Sequence, residues 1–210
     1  MGALVLTGGG LSVEHTASVS GFDASDASTC LGGGTAGTAG VGTAGSVTTV
    51  GGGTLSGNPP ETPYASAADV FEALGVRWEL LADPSFPVQF DGAPPNFGSL
   101  PADSFPLVRY SGDLIADSWW SGRGALIVTG IFQAASGFTW EGIILAGELG
   151  NVSDVAIVDV RGMLVGGLNG PNPSVRMGSG TVSYDYCDVR SANRALGYLE
   201  VLRNTEFEDQ

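Results

Sequence analysis

The sequence predicts a mainly β protein: a parallel β-solenoid, or β-helix, with one or two short packing helices, or alternatively a β-sandwich built from the same strands. Three observations predict it. Glycine supplies 34 of 210 residues, more than twice its ordinary usage of ~7%, and lacks the every-third-residue period of collagen. Glycine at this density suits a chain that turns repeatedly with φ > 0 or brings backbones close together. The second observation is one short phrase written four times: Gly2 to Gly8 (GALVLTG), Gly124 to Gly130 (GALIVTG), Gly142 to Gly147 (GIILAG) and Gly162 to Gly167 (GMLVGG). The last three begin at nearly equal intervals, at Gly124, Gly142 and Gly162, and the interval is close to the length of one coil of a parallel β-helix. The third is that each phrase is a continuous apolar run closed by glycines, which suits strands buried on both faces rather than a half-solvated hairpin.

The elements follow in chain order within one domain, residues 1–210. The first strand, Ala3, Leu4, Val5, Leu6 and Thr7, has no charged or proline gatekeeper in front of it. It is the candidate assembly strand, able to pair within its own chain or to complete the sheet of a neighbour. Residues 32–58 are rich in Gly, Thr and Ala and read as a flexible excursion outside the core. A short helix is predicted over 66–75, where Ser66 caps, Asp69 meets the N-terminus, Val70, Phe71 and Leu74 share a face, and Gly75 ends it. Six prolines between residues 84 and 106 mark an extended connector. Residues 106–187 read as stacked coils, with Phe132, Phe138, Trp140, Val155, Ile157 and Val160 supplying further strands and bulk. A second helix is predicted over 190–203, with Ala192, Leu196, Leu199 and Leu202 on an apolar stripe, and the acidic end from Glu206 to Gln210 reads as frayed.

Charge narrows the partners. Eight basic residues, all arginine, stand against 22 acidic ones for a net charge of −14. A nucleic-acid partner needs a basic footprint to displace counterions, and no Lys/Arg cluster exists. Apolar runs such as Ala125-Leu126-Ile127-Val128 fall far short of the ~18 residues of a spanning helix. The residues after Met1 show neither the basic nor the apolar region of a signal peptide. The two cysteines, Cys30 and Cys187, have neither metal-site nor thioredoxin spacing. They read either as a long-range disulfide or as two buried thiols, and the acidic, lysine-free composition favours the disulfide and an exported protein.

Candidate chemistry is sparse. His15 is the sole histidine and has no identifiable nucleophile or orienting carboxylate, so it reads as a solvent-facing strand residue rather than a catalytic base. Asp23 and Asp26 carry oxygen ligands but lie in neither an EF-hand loop nor a calcium-binding nonapeptide repeat. No GxSxG, HExxH or CxxC occurs, and the glycines of 32–45 lack a phosphate-cradling arrangement. No cofactor or metal site is therefore expected. An enzyme acting on polysaccharides along a β-helix face is the catalytic alternative, with Asp113, Asp117, Arg123, Glu141, Asp154, Asp159 and Arg161 as its candidates. Turn acids on a solvated face account for these charges without catalysis.

The run from Asp113 to Tyr184 resembles the C-terminal region of PilX-like type IV pilus assembly proteins. The resemblance rests on Gly122-Arg123-Gly124 to Gly130, on Phe138-Thr139-Trp140-Glu141-Gly142-Ile143-Ile144, on Gly162 to Gly166 and on Tyr184-Asp185. Ser18 to Asp23, followed by Cys30, is similar to the same group, whose N-terminal anchor helix has no match here. The resemblance implies a non-catalytic structural protein, extracellular or at the cell surface. Such a protein is pilus-associated or a self-assembling filament subunit, and its partners are copies of itself or other pilus and surface components. A monomeric adhesin or carbohydrate-binding module is the alternative. The cysteine reading is checked by intact mass after alkylation without reductant: a bonded pair takes up no label, whereas free thiols add two.

Overall fold

The computed structural model describes residues 2–26, 28, 30–34, 37–153 and 157–205, with 198–205 as backbone only. The chain opens with β1 (Gly2–Leu6), β2 (Gly10–Glu14) and β3 (Ser18–Ser20), then β4 (Ala39–Thr43), β5 (Ser46–Val50), β6 (Thr54–Ser56) and β7 (Glu61–Pro63). Two helices, α1 (Ala67–Leu74) and α2 (Trp78–Ala82), lead into β8 (Phe90–Asp91), β9 (Leu107–Tyr110) and β10 (Leu114–Ala116). Three long strands come next: β11 (Gly122–Ala134), β12 (Phe138–Leu149) and β13 (Val158–Gly166). After β14 (Val175–Met177) and β15 (Thr181–Ser183), the helix α3 (Tyr186–Thr205) ends the described chain.

The protein is mainly β, with a large parallel sheet and few helices. Every pairing between these strands is parallel, and they form one twelve-stranded and one three-stranded sheet. The register explains the repeated phrase. Val108, Leu126, Ile144 and Leu164 stand side by side, one from each successive layer, and Leu4 and Val41 continue the column. Equivalent side chains thus line up strand beside strand across the parallel sheet, and each strand buries what its neighbour would expose. β1 lies between β13 and β4, so the first strand of the chain sits in the middle of the stack.

Continuous burial along these strands has a definite cause. Leu126, Ile144, Leu164 and Leu4 point into one apolar cluster between the sheets, while their neighbours Ile127, Leu145, Val165 and Val5 point the other way into a second. Val70, Trp78, Leu81 and Phe86, with Ala192 and Leu196 of α3, cover that second face. The Ser66 hydroxyl caps α1 by accepting the Asp69 N–H, and Gly75 ends the helix at φ 62°. The bends come from a row of glycines in register, Gly124, Gly142 and Gly162, with φ of 121°, 124° and 136°. A Cβ on Gly142 would lie 2.3 Å from the Gly124 carbonyl oxygen and 3.1 Å from the Ala192 Cβ. The row therefore allows both the corner and the close seat of α3.

Several segments differ from the sequence reading. Residues 32–58, read as an excursion, contain β4, β5 and β6, and Val41 is fully buried in the core. Glycine masks these strands, because Gly40 and Gly42 keep β4 slim enough to lie against the turn carbonyls and Tyr64. The connector 84–106 holds β8 and the buried Phe86. The helix read over 190–203 begins earlier, at Tyr186, and α2 has no counterpart in the sequence reading. Val155 and the tail 206–210 lie outside the described residues, as do the side chains of Leu199 and Leu202. Cys30 and Cys187 are bonded, with Cα atoms 5.8 Å apart. Gly142→Ala should lower stability by on the order of 3 kcal/mol, through left-handed backbone strain and the carbonyl clash together. Urea unfolding checks this against Gly197→Ala, where an added Cβ meets open space.

Candidate functional site

The side chains best placed for chemistry lie on the outer face of β11, β12 and β13. Period-two alternation turns Trp140 and Val160 into the core and leaves Thr139, Glu141, Asp159 and Arg161 facing out. The ladder sets Arg123, Glu141 and Arg161 side by side, with Thr139 beside Asp159. Together with Ser121, Gly122 and Trp140 they line an open groove of about 280 Å³. Gly122 is required at its floor, since a Cβ there would fall 2.0 Å from the Phe97 ring. That ring meets Trp140 edge-on at 5.9 Å, and the Trp140 indole N–H donates to the Gly124 carbonyl at 3.2 Å. The Ser121 hydroxyl accepts the Thr139 N–H (2.9 Å) and donates to the Gly137 carbonyl (3.1 Å).

The two arginines are anchored differently. Arg123 donates from Nε to the Ser104 carbonyl and from Nη2 to the Pro101 carbonyl, both at 2.8 Å, so it ties the connector to the groove wall. Arg161 Nη2 donates to Asp185 Oδ2 at 2.8 Å. Asp185 is 2% exposed and caps α3, its other oxygen accepting the N–H groups of Cys187 and Asp188. Burial opposes the charge of Arg161, but the paired Asp185 and the nearby Asp188 and Glu141 outweigh it and hold the guanidinium more firmly protonated. Asp188 goes the other way. Burial first, then repulsion from Asp185 and Glu141, pushes its carboxyl up to about 7, against the pull of Arg161. The side-chain carboxylates of Glu141 and Asp159 make no ion pair or hydrogen bond with any described residue. The groove thus presents two carboxylates free of hydrogen bonds to the described residues, partly engaged guanidinium groups and hydroxyls, a set of both hydrogen-bond donors and acceptors.

Arg123, Glu141, Asp159 and Arg161 are therefore brought together out of the dispersed charges named from the sequence. Asp113 and Asp117 serve turns instead, accepting the N–H groups of Ile131 (2.8 Å) and Trp119 (2.9 Å). Asp154 lies outside the described residues. Asp23 is taken up by the protein itself: burial raises it, but the N–H groups of Tyr186, Ser25 and Gly34 and the Ser25 hydroxyl outweigh burial and hold it below the usual carboxylate range. Asp26 accepts the Ser28 N–H. Among the described residues no three His, Cys, Asp or Glu side chains are grouped to hold a metal. His15 sits in a turn at φ 50° rather than in a strand, half exposed, with Nε2 3.9 Å from Glu14. Ala3, Leu4, Val5, Leu6 and Thr7 are all buried, and Thr7 Oγ1 donates to the Gly167 carbonyl at 2.6 Å. β1 has partners on both sides, so any assembly must use another edge.

Asp185 and Asp188 escape the sequence reading as site residues. Their signal is an aspartate followed three residues later by a second acid at the start of a helix. Fold and groove together define a mainly β protein with a large parallel sheet and an open polar groove on it. No protein-family model matches the chain, and no curated protein or solved structure matches it significantly.

Asp188 sets a pH dependence with a definite sign. Its folded pKa lies above the ordinary value of 3.8, so the native state holds a proton that the unfolded chain releases. This stabilises the fold at low pH and is lost as pH rises through about 7. Asp91, held low first by its hydrogen bond from Arg109, and Asp23 act oppositely, their stabilisation failing as pH falls below the usual carboxylate range. Melting temperature should therefore peak under mildly acidic conditions. Asp188→Asn should flatten the decline towards pH 8 and leave the acid limb unchanged.

Proposed function

We propose that the chain is a non-catalytic β-solenoid module of the cell exterior, which associates with a second copy through one open end of its stack. What supports the solenoid reading is the continuous register of parallel layers, each a short coil on from the last, over β9, β11, β12 and β13. The glycine row at their corners lies within the residues that resemble the PilX-like family, and a pilus-associated or surface role is part of the same proposal. The long-range disulfide favours an oxidising compartment. No described helix is long and apolar enough to cross a membrane.

The observation that carries the association is the contrast between the two ends. At one end the outer strand β8 is two residues long and flanked by prolines. There the buried Arg109 binds Asp91 at 2.7 Å and donates to the carbonyls of Asp83, Pro84 and Phe86. Short, charged and proline-rich edges block pairing. At the other end the short strand β7, with Glu61 and Pro63, covers β4, but β5 is five residues of Ser, Val and Thr, without charge or proline, at the edge of its sheet. Val47 and Thr49 occupy positions in register with the buried Leu11 and Val13, yet Thr49 is exposed, so the core column ends uncovered. One closed end and one end open along β5 favour a two-fold pair over an endless filament. Light scattering across a concentration series should show the mass of the wild type doubling, and Thr49→Lys should remain a monomer of unchanged melting temperature. Wild-type protein that stays monomeric at millimolar concentration would end this reading.

A further inference from the structure

Three short strands carry one three-residue pattern: Ser18-Val19-Ser20, Thr54-Leu55-Ser56 and Thr181-Val182-Ser183. The pattern is invisible as a linear repeat because the strands are far apart in the chain, but the fold stacks them as neighbours. Thr181, Ser18 and Thr54 stand in register, as do Ser183, Ser20 and Ser56. The middle residues turn inward, Val19 and Val182 being buried. Six hydroxyls are thereby set out as two rows on the outer face, ~4.8 Å apart from strand to strand and ~6.6 Å apart along each strand. The hydroxyls of Ser18, Thr54, Ser56 and Thr181 make no hydrogen bond to any described residue. Ser20 Oγ accepts the Phe22 N–H at 3.3 Å, and Ser183 Oγ approaches the Val160 carbonyl at 3.5 Å.

Charge and chemistry select the partner. None of the nine residues of the three strands is charged, although the chain carries −14. An anionic or cationic ligand would find no counter-charge here, and the hydroxyls offer little apolar surface to anchor a protein. A hydroxyl both donates and accepts, so rows of them match a ligand that does the same at regular intervals. We propose that this ladder binds an extended neutral polysaccharide lying across the strands, one sugar ring to each strand. The strand separation is close to the length of a pyranose ring with its glycosidic oxygen. The rows run on without a break into the groove, through Thr181 to Asp159 and through Ser183 to Arg161. There the unengaged Asp159 carboxylate receives further sugar hydroxyls. This site lies on the other sheet from β5, its last strand β6 reaching the same end of the molecule, and the monomeric Thr49→Lys variant separates binding from association.

Affinity electrophoresis through native gels containing hydroxyethylcellulose or a soluble mixed-linkage β-glucan tests the proposal, with polygalacturonate gels as the anionic comparison. The wild type and the monomeric Thr49→Lys variant should both be retarded by the neutral glucans and not by polygalacturonate. The variant Ser18→Ala/Thr54→Ala/Ser56→Ala should bind at least about tenfold more weakly while keeping the wild-type melting curve. Thr54→Ala alone, on the exposed outermost strand, should weaken retardation and gives an independent reading if the triple variant does not fold. Unchanged wild-type mobility in the neutral glucans would overturn the proposal, as would equal retardation by polygalacturonate or undiminished binding by folded hydroxyl-free variants.

Discussion

The fold depends on the parallel pairing of β1 with β13 on one side and β4 on the other. Through these two ladders a strand at the start of the chain joins the layers that follow it to layers formed near the far end of the chain. Without it the second-face cluster would lose Val5, and the interior column would be cut between Leu164 and Val41. Contacts of this sequence separation have to be closed before they are repaid, so folding should be governed by the docking of residues 2–6. The Cys30–Cys187 bond acts in the same place. It ties the segment after β3 to the start of α3 and shortens the same long loop.

The start of α3 links the frame to the groove. Asp185 caps the helix, receives Arg161 and is buried in doing so, so the orientation of one groove arginine is set by a helix terminus. Asp188, one residue beyond the disulfide, shares that environment and holds its proton towards neutral pH because it is buried and two other acids stand near it. Stability and groove electrostatics are therefore coupled: charge lost at Asp188 relieves repulsion at the helix start and leaves Arg161 to Asp185 and Glu141. Asp23 joins the same assembly from the other side by accepting the Tyr186 N–H at 3.0 Å.

The surface is divided by the same register. Part of the outer face of the large sheet is covered by helices, one end is closed around Arg109, and at the other end β5 is left as an uncharged edge. On the uncovered part of the same face the outward positions change from strand to strand, from charged residues on β12 and β13 to hydroxyls on β15, β3 and β6. A protein whose net charge would repel most anionic partners thus keeps one neutral, hydrogen-bonding strip.

What the sequence determined by itself was the local physics. Glycine-closed apolar runs recurring at nearly equal intervals favoured parallel strands buried on both faces over a β-sandwich, and Ser66 and Gly75 specified α1. The bonding of Cys30 to Cys187 was legible as one of two readings, from composition rather than from spacing. What only the tertiary structure decided was adjacency. Gly40 and Gly42 concealed β4 because a slim strand in a glycine-rich run gains its burial from neighbours, not from its own side chains. Arg123, Glu141 and Arg161 are scattered charges in the chain and a ladder in the fold, and Ser18, Thr54 and Thr181 become a row in the same way. Parallel pairing joins residues a whole layer or most of the chain apart, and single-residue chemistry carries no signal of which layer will lie beside which. Once register is set by packing, each outward side chain is aligned with its counterparts, and the site exists only from that point.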